Sequence, residues 1–285
     1  MANRFPTPHA PRPTSQTLRG LTIGFIGAGT MGQALIKGLV RQGIRRRALI
    51  ASDASRTTRE AVRRQFRIAV TDDNAHVVHR AEIVVLAVKP QQMPVVISSL
   101  APHVRSHHLV ISIAAGITLR WLESRLRKVP IIRVMPNLPA TVDCGFSAIA
   151  LGDGALARHR VLATALFRAV GDVVELPERD FDAITAVSGS GPAYVLFLAH
   201  AWEEAARSLG LPPAIAARAV RQTLEGSTRL FQMSDEPALT LIKRVASKGG
   251  TTEAALRVLA RRHVAAHFIE ALRAAARRSK QLSMS

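Results

Sequence analysis

The sequence predicts an α/β fold in which a parallel-sheet domain comes first and an all-helical domain follows. Three observations carry this. Short, continuously apolar runs alternate with helical stretches from Leu21 to Pro177, the pattern of right-handed strand–helix–strand units in a sheet covered on both faces. A glycine-rich turn, Gly27-Ala28-Gly29-Thr30-Met31-Gly32, ends the first of those runs and opens a helix. Beyond Pro177, strand candidates stop and long Ala-rich segments of helical period take over.

Residues 1–19 carry Pro6, Pro8, Pro11 and Pro13 among Ser and Thr, with no acid. They read as a disordered tail. Leu21 to Ile26 is the first strand, and Ala34 to Val40 lies at helical spacing after the turn. Ala48 to Ala51 is the second strand and Arg56 to Phe66 a helix with a thin apolar face. Ile83 to Val88, Leu109 to Ile113 and Pro130 to Met135 complete the expected strands. In the second half, Tyr194 to Leu209, Pro213 to Met233 and Thr252 to Gln281 are the expected helices. Their apolar positions exceed what a small domain needs, which predicts pairing with a second copy.

Composition bounds the rest. At 285 residues with 48% hydrophobic and 21% charged residues, the chain is long and apolar enough for two packed domains. Apolar runs such as Ile83 to Val88 and Val195 to Ala199 are too short to span a bilayer, and no membrane association is expected. One cysteine, Cys144, excludes an intramolecular disulfide and suits a reducing, cytoplasmic setting. The net charge of +19 is spread along the chain, and aromatics are only 4%, leaving few platforms for stacking bases. The charge is read as solvated basic surface that also favours anionic ligands, not as a nucleic-acid site.

The glycine turn fits a dinucleotide-binding fingerprint in its required strand–turn–helix setting. Gly27 permits the tight turn, Gly29 lets the backbone approach a pyrophosphate, and Gly32 lets the helix pack closely. The pyrophosphate rests on free N–H groups at the helix N-terminus. Asp53 stands about 20 residues past Gly32, where an acid accepts bonds from the adenosine ribose and favours NAD. Ser52, Ser55 and Arg56 beside it suit a 2′-phosphate instead, so both NADP(H) and NAD(H) stay open. Asp53 and Ser55 are also rival N-caps for the following helix.

Four further segments stand out. Ala87-Val88-Lys89-Pro90 and Met135-Pro136-Asn137-Leu138-Pro139 each end a strand at the edge where such sheets bind ligands. Ser188-Gly189-Ser190-Gly191-Pro192 opens a long helix. Ser247-Lys248-Gly249-Gly250-Thr251-Thr252 precedes the last one and offers backbone N–H groups and hydroxyls to an anion.

Taken together, these segments resemble the pyrroline-5-carboxylate reductase family from about Leu21 to Ser283. The matching residues are Ile23 to Gly32, Ala87 to Pro90, Ser112-Ile113-Ala114-Ala115-Gly116, Met135 to Asn137, Ser188-Gly189-Ser190-Gly191-Pro192-Ala193-Tyr194, and Gly249 to Thr252. The resemblance implies a Rossmann-type domain over 20–177 and a helical dimerisation and substrate domain over 178–285. It implies a homodimer, with a ring of dimers as the larger form, whose subunits interlock and share substrate sites. It also implies hydride transfer from NAD(P)H to the C=N carbon of 1-pyrroline-5-carboxylate, giving L-proline.

On this resemblance Thr252 contacts the imine nitrogen, and Ser247, Gly249, Gly250, Thr251 and Thr252 hold the substrate. The cofactor is walled by Ile26 to Gly32, Ser52, Asp53, Asn74, Ala87 to Pro90, and Met135 to Asn137. The chain departs from the family pattern at Leu138, usually Thr, and at Lys248, usually Pro. It departs again at Leu241-Ile242-Lys243-Arg244, usually Leu-Lys-Asp. Tyr194 to Leu209 contains no Lys, which argues against hydroxy-acid dehydrogenases. The alternatives are a paralogue acting on another cyclic imine and a non-catalytic scaffold with a basic surface.

Overall fold

The computed structural model describes residues 16–284. They form two compact units: one takes in the described residues up to Ser190 together with the C-terminal segment from Ala275, the other is Gly191–Ala274.

The first unit is built on an eight-stranded sheet of order β3-β2-β1-β4-β5-β6-β7-β8. In chain order it comprises β1 (Ile23–Ile26), α1 (Thr30–Arg41), β2 (Leu49–Ser52), α2 (Arg56–Phe66), β3 (Ala69–Thr71), α3 (Asn74–Arg80), β4 (Ile83–Leu86) and α4 (Met93–Leu100). Then come β5 (Leu109–Ser112), α5 (Leu119–Glu123), β6 (Ile131–Met135), β7 (Gly145–Leu151), α6 (Ala157–Arg168), β8 (Gly171–Glu175) and α7 (Phe181–Ile184). Strands β3 to β6 run parallel. Leu35, Leu39, Val62, Phe66, Leu166 and Phe167 cover one face. Val77, Val78, Met93, Ile97, Leu122 and Phe181 cover the other. Burial on both faces is why the central strands read as unbroken apolar runs.

Several expectations are corrected. Residues 16–19, which composition assigns to the tail, form a turn whose Leu18 is buried in the core; the rest of that tail lies outside the described residues. β3, β7 and β8 had no strand signal, being short, edge-placed or rich in Gly, Ala and Ser. β7 pairs antiparallel with β6, because the link from Met135 to Gly145 is too short for the crossover that a parallel pair needs.

An ion pair between a buried arginine and a half-buried glutamate ties the sheet to the start of the helical segment. Arg133 on β6 is 3% exposed. Its Nη1 donates to Glu178 Oε1 at 2.8 Å, and its guanidinium lies 4.8 Å from the centre of the Phe181 ring. The same Glu178 oxygen accepts from Leu119 N at 2.7 Å, satisfying the first turn of α5.

The second unit contains α8 (Gly191–Ser208), α9 (Pro213–Met233), α10 (Ala238–Val245), α11 (Thr251–Arg261) and the first part of α12 (Val264–Met284). The single helix expected from Thr252 to Gln281 is broken at His263, which takes a left-handed backbone at φ 51°. No Gly or Pro marks that break, so periodicity alone runs through it. α10 follows Pro237 and was not foreseen. Few of this unit's side chains are buried; Phe197, Trp202, Leu230, Phe231, Leu239 and Phe268 are all exposed. So large an apolar surface marks an interaction face. The helical stretch Glu178–Ser208, at 31 residues, is long and apolar enough by length and composition to cross a membrane, which no single apolar run had suggested.

Two predictions follow from the first unit's buried polar groups. Glu178→Ala strands Arg133 without its partner, so unfolding free energy falls by about 3 kcal/mol; an unchanged urea midpoint would refute this role. His108 Nδ1 accepts from Arg105 N at 2.8 Å while Nε2 faces Val78 O at 3.2 Å, a neutral arrangement. Burial, with His107 adding to it, lowers the His108 pKa; burial and then Arg158 lower that of His159. The unfolded chain therefore takes up these protons first. Stability is full above the unfolded value of about 6.5 and declines as pH falls towards the folded values. The thermal midpoint should drop between about pH 7.5 and about pH 5.5, and drop less in His108→Gln.

Candidate active site

The glycine turn is built by crowding on two sides and openness on the third. Gly27 sits at φ +92°, and a Cβ there would lie 2.7 Å from Ala87 O and 2.9 Å from Val88 Cγ1. A Cβ on Gly32 would lie 2.8 Å from Gly27 O, whereas one on Gly29 meets nothing within 4 Å. α1 therefore closes on the turn through Gly32 and leaves Gly29 facing open space. Gly29 is also the N-cap of α1 and no side chain caps it, so N–H groups of the first turn stay available to an anion. Ile26 is fully buried, and its carbonyl accepts from Ala87 N at 2.8 Å. Met31 packs against the core. Both serve the turn's shape, and Thr30 at its surface is exposed.

Asp53 closes the second side. Its Oδ2 accepts from Ala28 N at 2.9 Å and its Oδ1 from Ser55 N at 2.9 Å. The capping question is thereby decided: Ser55 Oγ caps α2 by accepting from Thr58 N at 3.2 Å. Ser52 is fully buried and donates to Asn74 Oδ1 at 2.6 Å. Those two expected residues are thus joined to each other, and the surface hydroxyl at this corner is that of Ser55. Arg59 was not foreseen: it donates to the carbonyls of Asp53 and Ala54 at 2.8 and 2.9 Å and holds the loop.

The C-terminal ends of β4 and β6 supply the remaining walls. Lys89 is exposed, and Pro90 starts a short 3-10 turn over Pro90–Gln92. Asn137 uses both ends of its amide: Oδ1 accepts from Phe146 N at 2.8 Å and Nδ2 donates to Ser188 Oγ at 3.1 Å. Ser188 belongs to a π-helical turn, Thr185–Gly189, closed by Ser190 N donating to Thr185 O at 2.8 Å. Met135 lies against it, its Cε 2.5 Å from where a Cβ on Gly189 would be. Bulges of this kind are frequent at functional sites.

Ser247 to Thr252 fall in the second unit. Gly249 has φ +75°, and a Cβ on Gly250 would lie 2.5 Å from Ser247 Oγ. Gly250 is the N-cap of α11 without a side-chain cap. The Glu253 carboxylate accepts from Gly249 N, so that N–H is engaged within the chain. The departures Leu138 and Lys248 are both exposed.

Parallel order 3-2-1-4-5-6 with an open glycine turn between the ends of β1 and β4, where the order reverses, is the arrangement that binds dinucleotides. The fold and this site define a nicotinamide-dinucleotide-dependent oxidoreductase. Residues 22–116 match the family described as NADP oxidoreductase coenzyme F420-dependent, and residues 178–282 match pyrroline-5-carboxylate reductase dimerisation. A pyrroline-5-carboxylate reductase of Pseudomonas aeruginosa is 40% identical over 92% of this chain and 96% of its own length. The structure of a pyrroline-5-carboxylate reductase from Coxiella burnetii is similar with a TM-score of 0.86, at 34% identity over 92% of this chain and 98% of that one. That of the Plasmodium falciparum enzyme, with NADP bound, has a TM-score of 0.83 at 29% identity over 93% and 98%. The chain belongs to the pyrroline-5-carboxylate reductase family, and its dimerisation segment marks it as one that assembles with copies of itself.

The contrast between Gly29 and Gly32 is testable. Gly29→Ala should fold with an unchanged thermal midpoint yet weaken NADPH binding by roughly 10-fold, the loss of close backbone approach. Gly32→Ala should lose about 1–3 kcal/mol of stability through overpacking. Equal effects on both properties in the two variants would contradict this division.

Proposed function

We propose that this chain reduces 1-pyrroline-5-carboxylate to L-proline with hydride from NAD(P)H. One observation carries the reading: a chain of this family joins an open glycine turn to a Gly-Gly-Thr-Thr helix start. The dinucleotide would rest on Gly27 to Gly32 at the start of α1. Asp53 and Asn74 would lie on its adenosine side, and Ala87 to Pro90 with Met135 to Asn137 beside the nicotinamide. Bound there, the reduced nicotinamide supplies the hydride for the C=N carbon. Ser55 and Arg56 are the exposed groups next to Asp53 that would receive a 2′-phosphate.

Thr252 is assigned the imine nitrogen. Its hydroxyl donates to that nitrogen, which gains electron density as the carbon is reduced, so the bond strengthens in the transition state. The substrate carboxylate is assigned to the start of α11. Since Gly249 N–H is already given to Glu253, the donors left for it are the N–H groups of Thr251 and Thr252. Ser247 and Gly250 shape that turn.

The division of labour is placed after Pro177, a reading supported by the dimerisation match beginning at 178, while the compact units divide at Ser190 and Ala275. The homodimer is the minimal unit and a ring of dimers the larger form. The apolar stretch Glu178–Ser208 is read as facing protein rather than lipid, because its second half carries His200, Glu203, Glu204 and Arg207 and it falls within the dimerisation match. The lone Cys144 supports a cytoplasmic setting, and the scattered arginines support solvated surface over a nucleic-acid site. Neither a different cyclic imine nor a scaffold role has an observation in its favour.

The test is NAD(P)H oxidation at 340 nm with racemic pyrroline-5-carboxylate. Wild type should form proline, and Thr252→Ala should lose roughly 10-fold or more in kcat with cofactor affinity retained. Full activity in Thr252→Ala removes that residue from the chemistry; a wild type that binds cofactor and forms no proline removes the substrate assignment.

A further inference from the structure

The end of α12 belongs to the first unit and meets α7 and the loop after β5. Ser279 is 7% exposed, and its hydroxyl donates to Asp182 Oδ1 at 2.7 Å. One turn on, Ser283 Oγ donates back to Ser279 O, four residues earlier, at 3.1 Å. Leu282 presents its backbone to the loop after β5: a Cβ on Gly116, itself at φ +78°, would lie 3.1 Å from Leu282 O.

Asp182 lies on α7, directly before the π-helical turn whose Ser188 holds Asn137. A continuous set of bonded elements therefore runs from the C-terminal helix to the end of β6. A second contact reaches the end of β5 from the same turns of helix. A terminal helix with no such ties would fray. Here a hydroxyl-to-carboxylate bond, of the stronger charge-assisted kind, fixes it.

We propose that the last turns of α12 form a latch that sets the loops of the cofactor edge, with Ser279 as a positioning residue acting through Asp182. The proposal rests on the cofactor-site reading above. Losing the latch leaves the sheet intact and lets the π-helical turn, Asn137 and the Gly116 loop sample other positions. The cost then falls on cofactor binding rather than on the chemical step.

The experiment measures NADPH affinity by fluorescence, together with kcat and KM for NADPH, on the full-length protein. Ser279→Ala and Asp182→Ala should each weaken NADPH binding by roughly 5-fold. The double variant should bind no more weakly than either single one, because both break the same bond. Saturating NADPH should restore kcat, and Ser279→Thr, which keeps the hydroxyl, should bind like wild type. Should Ser279→Ala not fold, Asp182→Ala carries the same expectation. Wild-type affinity in the folded variants overturns the latch, even if their thermal midpoint falls. A wild type that binds neither NADPH nor NADH overturns the site reading itself and the latch with it; one that binds NADH alone is tested with NADH in the same variants.

Discussion

Between the end of β1 and the end of β4 there is no room for a side chain. A Cβ on Gly27 would lie 2.7 Å from the Ala87 carbonyl oxygen, and one on Gly32 would lie 2.8 Å from that of Gly27. This double close approach lets α1 start directly on the strand end. It aims the open N-terminus of that helix at the point where the strand order reverses. The rest of the cofactor edge is arranged around it. Asp53 reaches Ala28 N from the end of the next strand, Arg59 holds the loop that carries Asp53, and the segment after β4 brings Ala87 and Val88 against the same turn.

A second feature is how thoroughly the site's polar side chains are used to hold backbone. Asp53 and Asn137 are expected from the sequence to face the cofactor, and Glu253 follows the segment expected to hold the substrate. In the folded chain each is bound to N–H groups nearby. By holding these loops they keep the uncapped first turns of α1 and α11 in place, and backbone donors preorganised in this way cost no rearrangement when a ligand arrives. That arrangement suits a reaction in which orientation and fixed dipoles, more than a strong acid, lower the barrier.

The helical unit presents the opposite situation. Its exposed Phe197, Leu230, Phe231 and Phe268 are a poor surface for a lone chain in water, and the dimerisation match covers them. Many arginines on the helices form exposed pairs within one or two turns, such as Arg229 with Glu225 and Arg257 with Glu253, each worth little on its own.

Local pattern alone carries the alternation that makes a doubly wound sheet, the glycine turn that opens α1, and the helical second half. These are local matters, set by period, by side-chain volume and by the φ a turn demands. Pairing partners were decided only by the tertiary structure: β7 turned antiparallel against β6, Ser52 turned inward to Asn74, and Arg133 buried against Glu178. So were the break at His263 and the return of α12 to Asp182 and Gly116. No local pattern announces the pairings, because each depends on groups far apart in the chain being brought together; the break at His263 carries no Gly or Pro to mark it. Whether a polar side chain meets a ligand or a backbone N–H is settled by what the fold places beside it.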